Sequence, residues 1–127
     1  MTDKDDWLIE LCLEEASKLP KSFPVRVFSV AVDKKGLIIS GAGNLYTKTH
    51  PVQAKWACFA KQPERQFLHS EIRVIIKAMK SGRTIDKLVI GRVDKQGNAK
   101  DAKPCPICSA MLEQEFPEVK LVWSVEK

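Results

Sequence analysis

The chain has 127 residues, a formal net charge of +5, 44% apolar residues and 29% charged residues. This length predicts a single domain over residues 1–127, and the composition is ordinary for a folded globular protein and too apolar for a disordered one. The apolar runs fall short of the roughly 18 residues that a membrane span needs. The acidic N-terminus is typical of neither a secretory signal nor a transit peptide, so we expect a cytoplasmic protein with no membrane partner.

Hydrophobic periodicity predicts a succession of helices and strands. Leu8, Cys12 and Leu19 belong to an apolar stripe at helical spacing, and Pro20 ends that first helix. Residues 41–44, which include two glycines, are expected to break regular structure. In chain order the patterns predict a helix at 5–19, strands at 25–32 and 37–40, one or two helical turns within 52–61, a helix at 69–82, a strand at 88–93, a helix at about 104–116 and a strand at 119–125.

This order of elements predicts an α/β fold. Strands separated by a helix need a crossover connection, which allows them to be parallel, whereas the first two strands form an antiparallel hairpin. We therefore expect a three-layer α-β-α sandwich around a mixed central sheet of about four strands.

The charge is unevenly distributed along the chain. Residues 20–70 carry eight bases and two acids, and residues 71–103 carry nine bases and four acids. The two ends are acidic, with six acids and two bases in residues 1–19. A basic middle indicates an anionic ligand, such as a nucleotide phosphate or a nucleic acid. The alternative is a solvated, lysine-rich surface.

Two short segments combine the residue types of a zinc site. His69-Ser70-Glu71 stands at the start of one predicted helix, and Pro104-Cys105-Pro106-Ile107-Cys108 stands at the start of another. One imidazole and two thiolates suit zinc, and two cysteines three residues apart on a helical turn project to the same side. The positive end of the helix dipole also favours thiolate over thiol.

Three protein ligands indicate a catalytic zinc, because a structural zinc is enclosed by four. A water molecule in the open position has its pKa lowered toward about 7. Glu71 is placed to carry protons rather than to bind the metal. We therefore predict one zinc ion per chain, held by His69, Cys105 and Cys108, against the alternatives of a structural zinc or unrelated cysteines.

The pairing of H-x-E with P-C-x-x-C resembles the cytidine deaminase-like superfamily of zinc-dependent enzymes. The resemblance runs from about Phe23 to Val125, and the predicted order of elements agrees with that family's fold. It implies a hydrolase that removes the exocyclic amine of a nucleobase and releases ammonia. It also implies that Glu71 protonates the ring nitrogen and passes a proton from the hydroxide to the departing ammonia.

The resemblance further implies a set of substrate contacts. The predicted substrate-binding residues are Asn44, Ser70, Phe23, Val25, His50 and Pro104. Ser70 replaces the alanine that is usual in H-x-E, yet it keeps the backbone amide that contacts the base. Simpler interpretations remain open, because Asn44 is suited to a turn and His50 to an exposed loop. Phe23 and Val25 are equally compatible with a place in the core.

Several departures from the family bear on substrate and assembly. Tyr46 stands where nucleoside deaminases carry a ribose-binding glutamate, and Leu45 interrupts an asparagine motif common in deoxycytidylate deaminases. An insertion over residues 51–67 adds bases, which favours a phosphorylated substrate. The family's usual sheet has five strands whereas this sequence predicts four, so the last predicted strand, residues 119–123, is an apolar edge. Such an edge is a liability unless a second subunit covers it. We therefore expect a homo-oligomer.

The leading functional hypothesis is a hydrolytic deaminase of a free cytosine nucleotide or nucleoside. The alternative is an editing deaminase that acts on cytosine or adenine in single-stranded DNA or tRNA, which the basic middle of the chain would suit. A third interpretation is an inactive, zinc-stabilised binding module. The presence of Glu71 disfavours it, because a structural metal does not need that acid.

Overall fold

The computed structural model describes residues 3–22, 26–44, 70–102 and 106–125. In chain order its elements are α1 (Asp3–Ser17), β1 (Arg26–Val32), β2 (Ile38–Gly43), α2 (Ser70–Ser81), β3 (Lys87–Val93), β4 (Ala99–Lys100), α3 (Pro106–Glu115) and β5 (Lys120–Trp123). None of these described helices is long and apolar enough to cross a membrane. The helical turns predicted within residues 52–61 lie outside the described residues.

The strands form one mixed sheet with β3 in a central position. β1 pairs antiparallel with β2 on one side, and on the other it pairs antiparallel with β3 along its whole length, from Arg26↔Val93 to Val32↔Lys87. The opposite edge of β3 is shared by two strands: β5 runs parallel to residues 87–90, and β4 runs antiparallel to residues 92–93. The sheet thus has five strands and is four strands wide, and the predicted α/β fold is confirmed.

Two features of the sheet differ from the sequence prediction. The strand predicted at residues 37–40 continues as β2 to Gly43, although its glycines predict a break. They are accommodated because neighbouring side chains fill the space: an added Cβ at Gly41 would lie 3.1 Å from Phe28, and one at Gly43 would lie 2.6 Å from Leu19. The two-residue β4 was not predicted, because so short a strand leaves no periodic pattern.

The helices cover both faces of the sheet and so make three layers. Side chains alternate along a strand, and accordingly Val30 and Val32 face α1 whereas Ala31 faces α2. The core on the α1 face consists of Leu8, Ile9, Cys12, Val30, Val32 and Val89. The core on the opposite face consists of Ala31, Ala42, Ile72, Val74, Ile75, Ala78, Leu88, Ile90, Ala102, Met111 and Leu112.

The close approach of α1 to the sheet depends on Gly91 in β3. A Cβ at this position would lie 2.7 Å from the Cβ of Cys12 and 2.9 Å from the backbone of Cys12 and Leu13. Cys12 itself is fully buried, with its Sγ 3.6 Å from the carbonyl oxygen of Val89. Burial raises the pKa of the Cys12 thiol to about 12. Cys12 is therefore an unreactive core residue, as its place on the apolar stripe predicts.

The substitution Gly91→Ala should destabilise the fold strongly, because the added methyl group meets the backbone of α1 rather than a movable side chain. We expect a loss of at least about 2 kcal/mol in the free energy of unfolding, measured by urea denaturation. The matched control is Gly41→Ala, whose methyl group would have the side chains of Phe28 and Val30 as its nearest neighbours, at 3.1–3.3 Å. Equal losses for the two variants would contradict this account of α1 packing.

The β1–β2 and β3–β4 turns share one design, written Asp-Lys-Lys-Gly at residues 33–36 and Asp-Lys-Gln-Gly at residues 94–97. In each turn the aspartate Oδ1 accepts the backbone N–H groups two and four residues later, at 2.9–3.0 Å. Each turn ends at a glycine with positive φ, 83° at Gly36 and 88° at Gly97. These hydrogen bonds, first among them those from Leu37 and Asn98, lower the pKa of Asp33 and Asp94.

This pKa shift predicts an acid-sensitive contribution to stability. A carboxylate whose folded-state pKa is lowered stabilises the fold above its unfolded-state pKa, about 4, and loses that contribution as the pH falls through the folded-state value. The double variant Asp33→Asn/Asp94→Asn should therefore have a flatter stability profile below about pH 4, measured by urea unfolding across pH. Glu118→Gln, which removes an exposed charge, is the control. Identical acid limbs in wild type and double variant would refute the prediction.

Candidate metal centre

The two predicted zinc segments stand at the starts of α2 and α3. His69 directly precedes Ser70, the first residue of α2, and Glu71 is its second residue. Cys105 directly precedes Pro106, the first residue of α3, and Cys108 is the third. Of the predicted site residues, the structure describes the side chains of Asn44 and Ser70 and only the helical backbone of Glu71 and Cys108. The residues outside the described ranges are His69, Cys105, Phe23, Val25, His50 and Pro104.

The first turn of α2 is tied to one end of the sheet. The Oγ of Ser70 lies 2.8 Å from the Oγ of Ser29 in β1, and the guanidinium of Arg73 donates to the carbonyl oxygen of Gly43 at 2.6 Å. Gly43 is the last residue of β2. At its other end, α2 is followed by Arg83, which pairs with Asp33 in the β1–β2 turn. Helix α2 therefore begins at the carboxyl end of β2 and runs toward the opposite end of the sheet.

Helix α3 begins at the same end of the sheet. Phe28 of β1 pairs with both Gly43 of β2 and Gly91 of β3, so the carboxyl ends of β2 and β3 lie together. The chain enters α3 from β4, which pairs with the last two residues of β3. Just before α3, the N–H of Ala102 donates to the carbonyl oxygen of Ser124 at 2.9 Å. Both helices also contribute to the core opposite α1. They therefore begin at one end and on one face of the sheet.

Ser70 is fully buried and directs its hydroxyl toward the sheet. This geometry explains how a serine fits where the family usually has alanine, because the additional hydroxyl meets a hydroxyl on β1. Its partner Ser29 was not predicted as a functional residue. The only signal in the sequence is one polar residue within the apolar run of β1, and that signal does not identify its partner.

Asn44 lies at the same end of the sheet, directly after β2. Its side-chain Oδ1 accepts the N–H of Val27 at 3.0 Å, and its backbone N–H donates to the carbonyl oxygen of Val27 at 3.0 Å. The residue is buried. Asn44 thus extends the β1–β2 pairing by one residue, and its predicted contact with substrate remains a prediction.

Arg73 adds a positive charge near Asn44, outside the two sequence motifs. Its guanidinium bonds to the carbonyl oxygen of Gly43, and partial burial lowers the pKa of Arg73. Lys77 donates from the same helix to the carbonyl oxygen of Gly41 at 3.3 Å. These two hydrogen bonds hold α2 against the edge strand β2.

A groove of about 920 Å³ lies elsewhere, between α1 and the β3–β4 hairpin. Trp7, Glu10 and Glu14 line one wall, and Gly97 and Lys100 line the other. Since α1 covers the face opposite α2, this groove is not part of the candidate metal centre.

Among the residues that the structure describes, no group of three histidine, cysteine or acidic side chains is arranged to hold a metal ion.

A family model described as the cytidine and deoxycytidylate deaminase zinc-binding region matches residues 2–123. The match covers nearly the whole chain, and the chain belongs to this family. A comparison with curated proteins finds no match. The family supports zinc-dependent deaminase activity and Zn²⁺ as the cofactor. The residue types of the predicted ligands agree with this cofactor, because one imidazole and two thiols are ligands that zinc prefers.

Proposed function

We propose that this protein is a zinc-dependent hydrolase that removes the exocyclic amine of cytosine from a free nucleotide or nucleoside and releases ammonia. The observation that carries the proposal is the common origin of α2 and α3 at one end and on one face of the sheet. The H-x-E and P-C-x-x-C segments occupy these two helix starts. In the proposal His69, Cys105 and Cys108 hold one zinc ion per chain.

Each residue of the proposed centre has a distinct role. Zinc, when bound, supplies a water molecule activated as a nucleophile at neutral pH. The N-terminal dipole of α3 favours the thiolate forms of Cys105 and Cys108. Glu71 would take up the two protons of the attacking water one after the other, delivering the first to the ring nitrogen and the second to the amine, which leaves as ammonia. The backbone amide of Ser70 contacts the base, while its side chain stays engaged with Ser29.

The proposed substrate is an anionic pyrimidine nucleotide or its nucleoside. Residues 20–70 carry a net charge of +6, from eight bases and two acids, which supports phosphate recognition. Contacts with the base and sugar are assigned to Asn44, Phe23 and Val25. Contact with the sugar or phosphate is assigned to His50, and the wall of the pocket to Pro104. The same charge supports a second candidate, an editing deaminase of single-stranded DNA or tRNA.

We further propose one domain over residues 1–127 and a cytoplasmic location.

A substrate panel tests the proposal. Purified protein is incubated with CMP, dCMP, cytidine, deoxycytidine and a short single-stranded oligonucleotide, and deamination is followed by ultraviolet absorbance and ammonia release. We expect turnover of a free cytosine compound, lost on zinc chelation. Glu71→Gln should retain zinc and lose at least about 100-fold in rate, whereas Glu118→Gln in the turn after α3 should remain active. Turnover of the oligonucleotide alone would favour the editing function, and no turnover of any substrate would refute both.

The sheet also supports the proposal of a homo-oligomer. The hydrogen bonds from Lys120 N–H to Asp86 and from Ser124 N–H to Ile90 connect β5 to β3 on one side only. Within the described ranges, no strand pairs with the other side of β5. Its side chains Leu121, Val122 and Trp123 are half-buried, and an apolar edge of this kind is stabilised when a second strand or subunit covers it.

Val125 and Leu37 provide a matched test of this edge, because each side chain is 57% exposed. Val125 follows β5, whereas Leu37 precedes β2 at the opposite edge of the sheet. Val125→Lys should weaken association by at least about tenfold in sedimentation velocity experiments at several concentrations. Leu37→Lys should leave association unchanged. A monomeric wild-type protein would rule out the proposed homo-oligomer.

A further inference from the structure

A pair of buried serines connects the proposed metal centre to the central sheet. Ser29 of β1 and Ser70 of α2 are both fully buried, and their Oγ atoms lie 2.8 Å apart. The two residues are 41 positions apart in the chain, so the hydrogen bond joins separate elements. Ser70 is flanked directly by His69 and Glu71.

The surroundings of Ser29 make the loss of this hydrogen bond costly. Ser29 pairs with Ala42 in β2 and with Ile90 in β3, so it lies within the sheet rather than at an edge. Its neighbours on this face, such as Ile72 of α2, form an apolar core. A hydroxyl buried among apolar groups loses its water and depends on a protein partner.

We propose that Ser29 is a positioning residue, which fixes the first turn of α2 through Ser70 and thereby sets the places of His69 and Glu71. This inference rests on the proposed function, since it assumes that those two residues bind zinc and carry protons. Ser29 does not touch the reacting atoms. It acts through Ser70, whose backbone joins the metal ligand to the proton carrier.

The pair predicts that the effects of substituting the two serines by alanine are not additive. Replacing Ser70 by alanine leaves the buried hydroxyl of Ser29 without this partner, and replacing Ser29 by alanine removes the bond that joins Ser70 to the sheet, whereas replacing both removes the two polar groups of this bond together. The single variants Ser29→Ala and Ser70→Ala should therefore each disturb α2 more than the double variant does. The double variant also keeps the test informative if either single variant folds poorly.

Zinc release provides a readout that does not depend on catalysis. Zinc content is first measured by elemental analysis, and release to a chromogenic chelator is then timed for each variant. Loss of groups that orient metal ligands typically costs 10–100-fold in metal affinity or activity. We expect each single variant to release zinc about tenfold faster than wild type and the double variant to return to within about threefold. The absorption spectrum of the Co²⁺-substituted protein should shift in the single variants and recover in the double variant.

Val30→Ala is the control, because Val30 follows Ser29 in β1 but faces α1 on the other side of the sheet. It should lower thermal stability and leave zinc release and the Co²⁺ spectrum unchanged. Wild-type protein without zinc would refute the proposed function itself. Wild-type protein that holds zinc, with release unchanged in both single variants or accelerated additively in the double variant, would refute the positioning role alone.

Discussion

The pairing of β3 with strands on both of its edges is the constraint on which the rest of the structure depends. Leu88, Val89 and Ile90 are completely buried, so β3 is covered on both faces as well. One of its partners, β5, runs parallel to it and is reached only through a crossover connection that contains α3. That crossover brings the start of α3 to the end of the sheet where α2 also begins. The topology of one strand thus accounts for the common origin of the two motif-bearing helices.

The two faces of the sheet hold their helices through different contacts. On the α1 face, Gly91 allows close helix packing, and the buried Arg26 donates to the carbonyl oxygen of Ser17 at 3.0 Å and to that of Asp94. These contacts fasten the end of α1 to the β3–β4 turn. On the α2 face, polar contacts run along the helix, from Ser70 and Arg73 near its start to Lys77, which donates to Gly41. Polar contacts thus hold the end of α1 on one face and the length of α2 on the other.

Local patterns predicted most of the elements, and long-range contacts account for what they missed. Apolar spacing predicted α1, α2 and β3, and the spacing of two motifs together with a family resemblance predicted the zinc chemistry. The extension of β2 through Gly43 depends on side chains from Leu19 and Phe28, which local propensity does not include. The Ser29–Ser70 bond joins two elements whose proximity exists only in the folded chain. Such a contact has no signature in a single sequence.

The burial of Cys12 makes its thiol a probe of the separation of α1 from the sheet. Its thiol is wholly enclosed beneath α1, and desolvation raises its pKa to about 12, so the reactive thiolate is scarce in the native state at neutral pH. A disulfide reagent can reach this sulfur only when α1 separates from the sheet. The rate of Cys12 modification would therefore report how often that separation occurs, on the face of the molecule that carries none of the proposed chemistry.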